Sequence, residues 1–240
     1  IAMCGILFLF NDKADENALR DLAGNALARM SHRGPDDDGL VCTPPWVMGH
    51  RRLSIIDLSG SRQPMTDLQK RYFLSYNGEV YNYKELRKAL AHDWQFTTDG
   101  DTEVVLAGLI CRGEAFLAAM EGMWALALWD SQEQTLMLSR DRKRQKPLYF
   151  QQIPDGFACA SELMPLAHLV QTPWEEDMNS SADYFRFGYY LPGKTAYKGV
   201  YEVLPGQVLK WDINGGIHQH PYWSLAVGGY DGTLDEAQVR

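Results

Sequence analysis

The chain has 240 residues, 45% of them hydrophobic and 22% charged, which places it among ordinary globular proteins able to bury a core without disulfide or metal staples. Its formal net charge of -8 argues against nucleic acid as a partner, because phosphate binding is driven by clustered Lys and Arg. The four cysteines, Cys4, Cys42, Cys111 and Cys159, lie far apart with no CxxC spacing, so reduced thiols in a cytoplasmic protein are the simplest reading.

The opening apolar run ends at Asn11-Asp12, too short for a bilayer span and without the flanks of a signal peptide. Cys4 to Phe10 reads as a buried strand. Leu19, Leu22, Ala23, Ala26, Leu27 and Met30 recur at helical spacing and predict a helix from Asp15, a plausible N-cap, to Met30. Gly34-Pro35 breaks the pattern, and Asp36-Asp37-Asp38 reads as the loop that follows. From Gly39 to Tyr76 the text is strand and turn. Asn77-Gly78 reads as a tight hairpin turn between Phe73-Leu74 and Val80-Tyr81. Helices are expected over Asn82 to His92, Asp101 to Arg112 with Asp101 or Thr102 as cap, and Ala115 to Met120.

Short β-like segments follow at Met123 to Trp129, Thr135 to Ser139, Leu148 to Gln151 and Phe157 to Ala160, then a short helix from Glu162 to His168. The basic run from Arg140 to Lys146 contains Asp141 and reads as a loop before it reads as a binding patch. Tyr184 to Leu209, rich in Tyr, Gly and Pro, reads as loops and strands. The aromatic set Tyr184, Phe185, Phe187, Tyr189 and Tyr190 is assigned to core and interface, and Trp124 and Trp129 to the core. His218-Gln219-His220 is read as a solvated loop rather than a metal site, and Asp235 to Arg240 begins to look helical. Strands outnumber βαβ alternations, which points to a mixed α+β domain with a large antiparallel sheet.

Four clusters carry chemistry, and each has a plain alternative. Cys4 alone reads as a small buried hydrophobe. With Met3 removed it would become the first residue, its α-amine beside its thiol, and an α-amine of pKa roughly 7.7–8.0 suits a general base. Asn77 and Gly78 make a turn, or else an oxyanion hole of one side-chain amide and one backbone N–H. Arg52 and Asp101 are a surface arginine and a helix cap, or together the grip on the α-carboxylate and α-ammonium of a free amino acid, with Glu79 assisting.

In order and spacing these clusters resemble the glutaminase domain of the glutamine-hydrolysing asparagine synthetases, which are class II, N-terminal-nucleophile glutamine amidotransferases. The similar stretches are MCGI (3–6), HRGPDDDG (32–39), HRRLSIIDL (50–58), QPM (63–65), YNGEVYNYKELR (76–87), TDGDTEVVLAGL (98–109), EGMWALALWD (121–130), RDRKRQKPLYF (140–150), ASE (160–162) and LPGKTAYKGVYEVLPGQ (191–207). The resemblance implies a four-layer αββα sandwich with two antiparallel sheets, over residues 1–225. It implies Cys4 as nucleophile, Asn77 and Gly78 as oxyanion hole, Arg52, Glu79 and Asp101 as glutamine-binding residues, and Arg33 and Gly34 as a supporting loop. It implies L-glutamine as substrate, hydrolysed to glutamate and ammonia, with no metal or cofactor in this domain. ATP and Mg belong to a synthetase domain, in cis or in trans, to which residues 226–240 would lead. A homodimer is compatible with it, a nucleic-acid or membrane partner is not expected, and a non-catalytic, partner-binding domain is the alternative.

Three departures from the family pattern stand out. Ile1-Ala2-Met3 precede Cys4, so its nitrogen is an amide, and the chain is expected to be inactive until they are removed. Arg144 stands where the family has a glycine, so the turn at Lys143 to Pro147 is expected to differ in shape. No phosphate loop of the synthetase kind is present, so the chain reads as one half of a longer protein.

Overall fold

A computed structural model describes residues 3–53 and 62–225. The strands are β1 (Gly5–Asn11), β2 (Asp37–Thr43), β3 (Trp46–Arg52), β4 (Met65–Thr66), β5 (Tyr72–Val80), β6 (Gly122–Asp130), β7 (Thr135–Arg140), β8 (Tyr149–Ile153), β9 (Gly156–Ala160), β10 (Tyr201–Glu202), β11 (Gln207–Asp212) and β12 (Ile217–Pro221). The helices are α1 (Glu16–Ala28), α2 (Tyr83–Leu90), α3 (Asp101–Arg112), α4 (Ala115–Ala119), α5 (Leu163–Val170) and α6 (Met178–Phe187). One sheet runs β10-β8-β9-β1-β3-β2 and the other β12-β11-β7-β6-β5-β4, with antiparallel pairing throughout.

Strand periodicity explains the layering. In β1, Ile6, Phe8 and Phe10 face the second sheet, where they meet Trp129 of β6 and Trp211 of β11. The alternate residues Leu7 and Leu9 face Leu19, Ala23, Leu27 and Leu166 of α1 and α5. On the far side, Leu74, Leu126 and Leu128 pack on Val104, Val105 and Leu109 of α3 and on Phe116 of α4. The order is helices, sheet, sheet, helices. Trp124 and Trp129 are fully buried, as their composition suggests.

Most predicted elements fall within two residues of their expected ends. Asp15 caps α1, its carboxylate accepting the Ala18 N–H at 2.8 Å. The cap of α3 is Gly100; Asp101 is the first helical residue, and its side chain is used elsewhere. Five further expectations fail. Asn77-Gly78 is no turn but lies inside β5, in register with Ala125 and Trp124 of β6. Asp37 and Asp38 open β2 and do not lie in a loop. Met178–Phe187 is a helix capped by the Asp177 carboxylate; its first part had no predicted element, and its last turn, from Tyr184, falls where loops and strands were expected. The core part of the aromatic assignment fails: Phe185 is 87% exposed, and Tyr184, Phe187 and Tyr189, the last beyond the helix, are also exposed. His218 to His220 belong to β12, and His220 contacts the Glu114 carboxylate. Ser54, Ile55 and the segment 226–240 lie outside the described residues.

Candidate active site

Cys4 stands at the mouth between the sheets, one residue before β1 begins. Its sulfur accepts the Leu53 N–H at 3.4 Å and lies 3.7 Å from the Leu53 carbonyl, so the end of β1 is tied to the exit of β3. The loop after α1 clamps the same point. Arg33 Nε donates to the Cys4 carbonyl at 3.0 Å, and the Met3 N–H donates to the Arg33 carbonyl at 2.8 Å. Arg33 is held in turn by Glu162 at 2.9 Å, which also meets His32 at 3.0 Å. Gly34 makes this fit, since a β-carbon there would lie 2.5 Å from the backbone of Arg51 and Arg52. Burial raises the Cys4 thiol above its ordinary value, while the Leu53 N–H and the cations Arg52, Lys146 and Arg33 pull the other way.

Asn77 reaches the same cleft from β5. It is buried, and its Nδ2 finds no hydrogen-bond partner among the described residues. A buried amide donor left unpaired costs roughly 1–3 kcal/mol, and such groups persist where a ligand supplies the missing acceptor. Gly78 is required by close approach: a β-carbon would lie 2.4 Å from the Met123 carbonyl oxygen and 2.8 Å from Trp124 Cα. Neighbouring Tyr76 is fixed by Gln63, whose side chain accepts the Tyr76 N–H at 2.6 Å and donates to its carbonyl at 3.0 Å.

Asp101 projects from the first turn of α3 into the cleft. Its Oδ2 accepts the Tyr76 hydroxyl and the Val80 N–H, both at 3.0 Å. Burial holds its carboxyl above the usual range, against those two hydrogen bonds. Glu103, two residues on, is structural. Its carboxylate accepts the N–H groups of Thr97 and Thr98 and both their hydroxyls, fixing the turn before α3.

The cleft is a small concavity that opens to solvent at its mouth. Its wall includes Cys4, Arg52, Asn77, Gly78, Glu79 and Asp101, all six proposed catalytic and binding residues. Arg33 and Gly34 support it from behind. Met3, Gln63, Thr102, Met123 and Lys146 also line it, and sequence reasoning had not assigned them to the site. Gln63 lay within the quoted QPM stretch, the only signal that could have found it. Lys146 was hidden in a run that reads as a solvated loop, yet it is buried at 8% exposure. Among the described residues no cluster of His, Cys, Asp and Glu could hold a metal ion.

Residues 3–223 match the model of the family described as glutamine amidotransferase domain. The chain belongs to the class II glutamine amidotransferase domain family. Its relatives include asparagine synthetase B [glutamine-hydrolyzing] of Escherichia coli (strain K12), 33% identical over 99% of this chain and 45% of the relative. Another is asparagine synthetase [glutamine-hydrolyzing] 3 of Bacillus subtilis (strain 168), 30% identical over 99% of this chain and 40% of the relative. The chain thus spans less than half the length of these relatives. Among solved structures, the glutamine phosphoribosylpyrophosphate amidotransferase of B. subtilis superposes with a TM-score of 0.66 at 18% identity, over 92% of this chain and 49% of that one. At that identity the likeness speaks for the fold alone, two antiparallel sheets between layers of helices.

Proposed function

We propose that the mature chain hydrolyses the side-chain amide of L-glutamine, with Cys4 as nucleophile and its own α-amine as base. Removal of residues 1–3 creates that amine. The thiol gives its proton to the amine as sulfur attacks the amide carbon. The oxyanion is received by Asn77 Nδ2 and the Gly78 N–H. The amine then protonates the leaving nitrogen, which departs as ammonia and leaves a thioester on Cys4. Water, activated by the same amine, releases glutamate. Arg52 takes the substrate α-carboxylate in a bidentate grip, while Asp101 and Glu79 take the α-ammonium. This step needs no metal or cofactor. The ammonia passes to a synthetase domain in cis or in trans, a reading supported by relatives named asparagine synthetase [glutamine-hydrolyzing].

The observation that supports this reading most is the unpaired buried Nδ2 of Asn77 in the cleft that also exposes the Cys4 sulfur. The test is ammonia release from glutamine by the chain beginning at Cys4. Cys4→Ala is expected to abolish release and leave the melting temperature within a few degrees of the parent. Release that persists in Cys4→Ala contradicts the reading.

A further inference from the structure

Lys146 is the buried cation that the chemistry above does not use. Its position is built with care. The carboxylate of Asp141, fully buried, accepts the N–H groups of Lys143 at 2.9 Å, Gln145 at 3.0 Å and Lys146 at 3.1 Å. Arg140, also buried, donates from Nε to the Lys146 carbonyl at 2.5 Å and pairs with Glu202 at 2.8 Å. Arg144 completes the turn in a left-handed conformation, φ 60°, and donates to Glu202 at 3.0 Å. The turn therefore adopts the conformation a glycine would favour, contrary to the expectation of an altered shape, and the Glu202 contact offsets the strain.

All this holds an ammonium at the cleft wall beside Cys4. The acceptor that the described residues offer it is the Met3 thioether sulfur, at 3.4 Å. Thioether sulfur is a weak acceptor, and a buried charge calls for a strong one. Met3 is also the residue whose departure creates the amine of Cys4. The other charged or titratable groups around the pair are Arg33 from the loop after α1, Arg52 from β3, Tyr76 and Glu79 from β5, and Asp141.

We propose that Lys146 is a positioning residue for the nucleophile: with Met3 gone, its ammonium faces Cys4 and favours an anionic sulfur and an uncharged amine. A cation there lowers the proton affinity of both groups: it keeps the amine uncharged and ready beforehand and stabilises the sulfur anion, the second effect outweighing the weaker basicity of the amine. Burial lowers the affinity of Lys146 for its own proton, and the facing Cys4 sulfur opposes that loss. The inference rests on the glutaminase reading, but its test does not need glutamine.

The experiment measures iodoacetamide alkylation of Cys4 against pH in the chain beginning at Cys4, by peptide mass spectrometry, with half-buried Cys42 and Cys111 as internal references. Lys146→Met and Lys146→Gln are each expected to move the Cys4 profile up by about one pH unit, a loss of about tenfold in rate near pH 7. The references stay in place, and Lys146→Arg returns the profile to that of the parent. The acid limb of kcat/KM for glutamine is expected to move the same way. Coincident profiles for the parent and both neutral variants overturn the proposal. So does a Lys146→Arg profile displaced like the neutral ones, which would make Lys146 a space-filler. If the parent alkylates normally but releases no ammonia, the glutaminase reading falls and the Cys4 profile still decides the role of Lys146.

Discussion

The side chain of Asn77 carries a cost that folding alone does not explain. Its donor is buried and unpaired, whereas neighbouring Tyr76 and Asp101 satisfy each other. In the proposed reaction, the oxyanion gives that donor its acceptor. Asn77→Ala is therefore expected to lower kcat for ammonia release by about 100- to 1,000-fold with little change in KM, and to leave the fold unharmed or steadier. A parallel rise in KM would assign Asn77 to substrate binding instead. Asp101 shows the same tension. Burial raises its carboxyl, so the folded chain binds a proton there more tightly than the unfolded chain does. That group thus costs stability once pH climbs above its unfolded value, and a bound ammonium offsets the cost. Asp101→Asn is expected to keep or raise the melting temperature at pH 7. It should raise the KM for glutamine by at least about tenfold, as expected when one partner of a buried charge pair is removed. A lowered melting temperature with unchanged KM would make Asp101 a structural residue. The residue types and their spacing made these groups legible as candidates. Lys146 was not legible, because a lysine's burial is decided by the turn that carries it.

At the scale of elements, β5 is the part that sequence patterning misread. Asn-Gly is a strong turn signal when backbone geometry decides. Here Gly78 lets the backbone of β6 come close, and Asn77 faces the cleft, so both residues serve the site inside a continuous strand. Gly78→Ala is expected to cost about 1–3 kcal/mol by overpacking, read from urea unfolding, and to displace the Gly78 N–H. A stability unchanged within error would contradict the close approach. Helix α6 was missed because its Tyr and Phe residues suggest strands, while the Asp177 cap and the left-handed Gly188 end that define it are weak signals in sequence. By contrast α1 was legible from spacing alone, since it buries one face of a regular helix against a sheet, whereas α3 is buried on every side from Asp101 to Leu109.

Across the whole molecule, the two sheets are joined by polar contacts such as the Arg140–Glu202 pair, and a further set lies next to the site. His50 of β3 meets Ser75 of β5 at 3.0 Å, and the Ser75 hydroxyl donates to the Gly49 carbonyl at 3.2 Å, so the His50 Nδ1–H is the donor to Ser75. His50 lies two residues before Arg52 and Ser75 two before Asn77, so the contact sets the spacing of the cleft walls. Burial, with Arg52 nearby, pushes the His50 pKa from 6.5 down to about 3. The unfolded chain therefore binds more protons there, and stability falls as pH drops from 6.5 towards 3. His50→Gln is expected to be less stable than the parent at pH 7 but to lose on the order of 2 kcal/mol less between pH 6.5 and 4.5, as urea unfolding would show. Equal losses would mean that His50 protonates freely in the fold. Strand alternation made the α+β class legible. The two-sheet stacking came from the family resemblance, because local pattern does not say which strands share a sheet.

The central claim is that catalysis begins when Cys4 acquires a free amine. Ammonia release from glutamine by two preparations tests it most directly, with intact mass establishing the first residue of each. The chain that begins at Cys4 is expected to release ammonia, and the chain that keeps Ile1, Ala2 and Met3 is expected to release none above background. Equal release by the chain that retains all three leading residues would contradict the account.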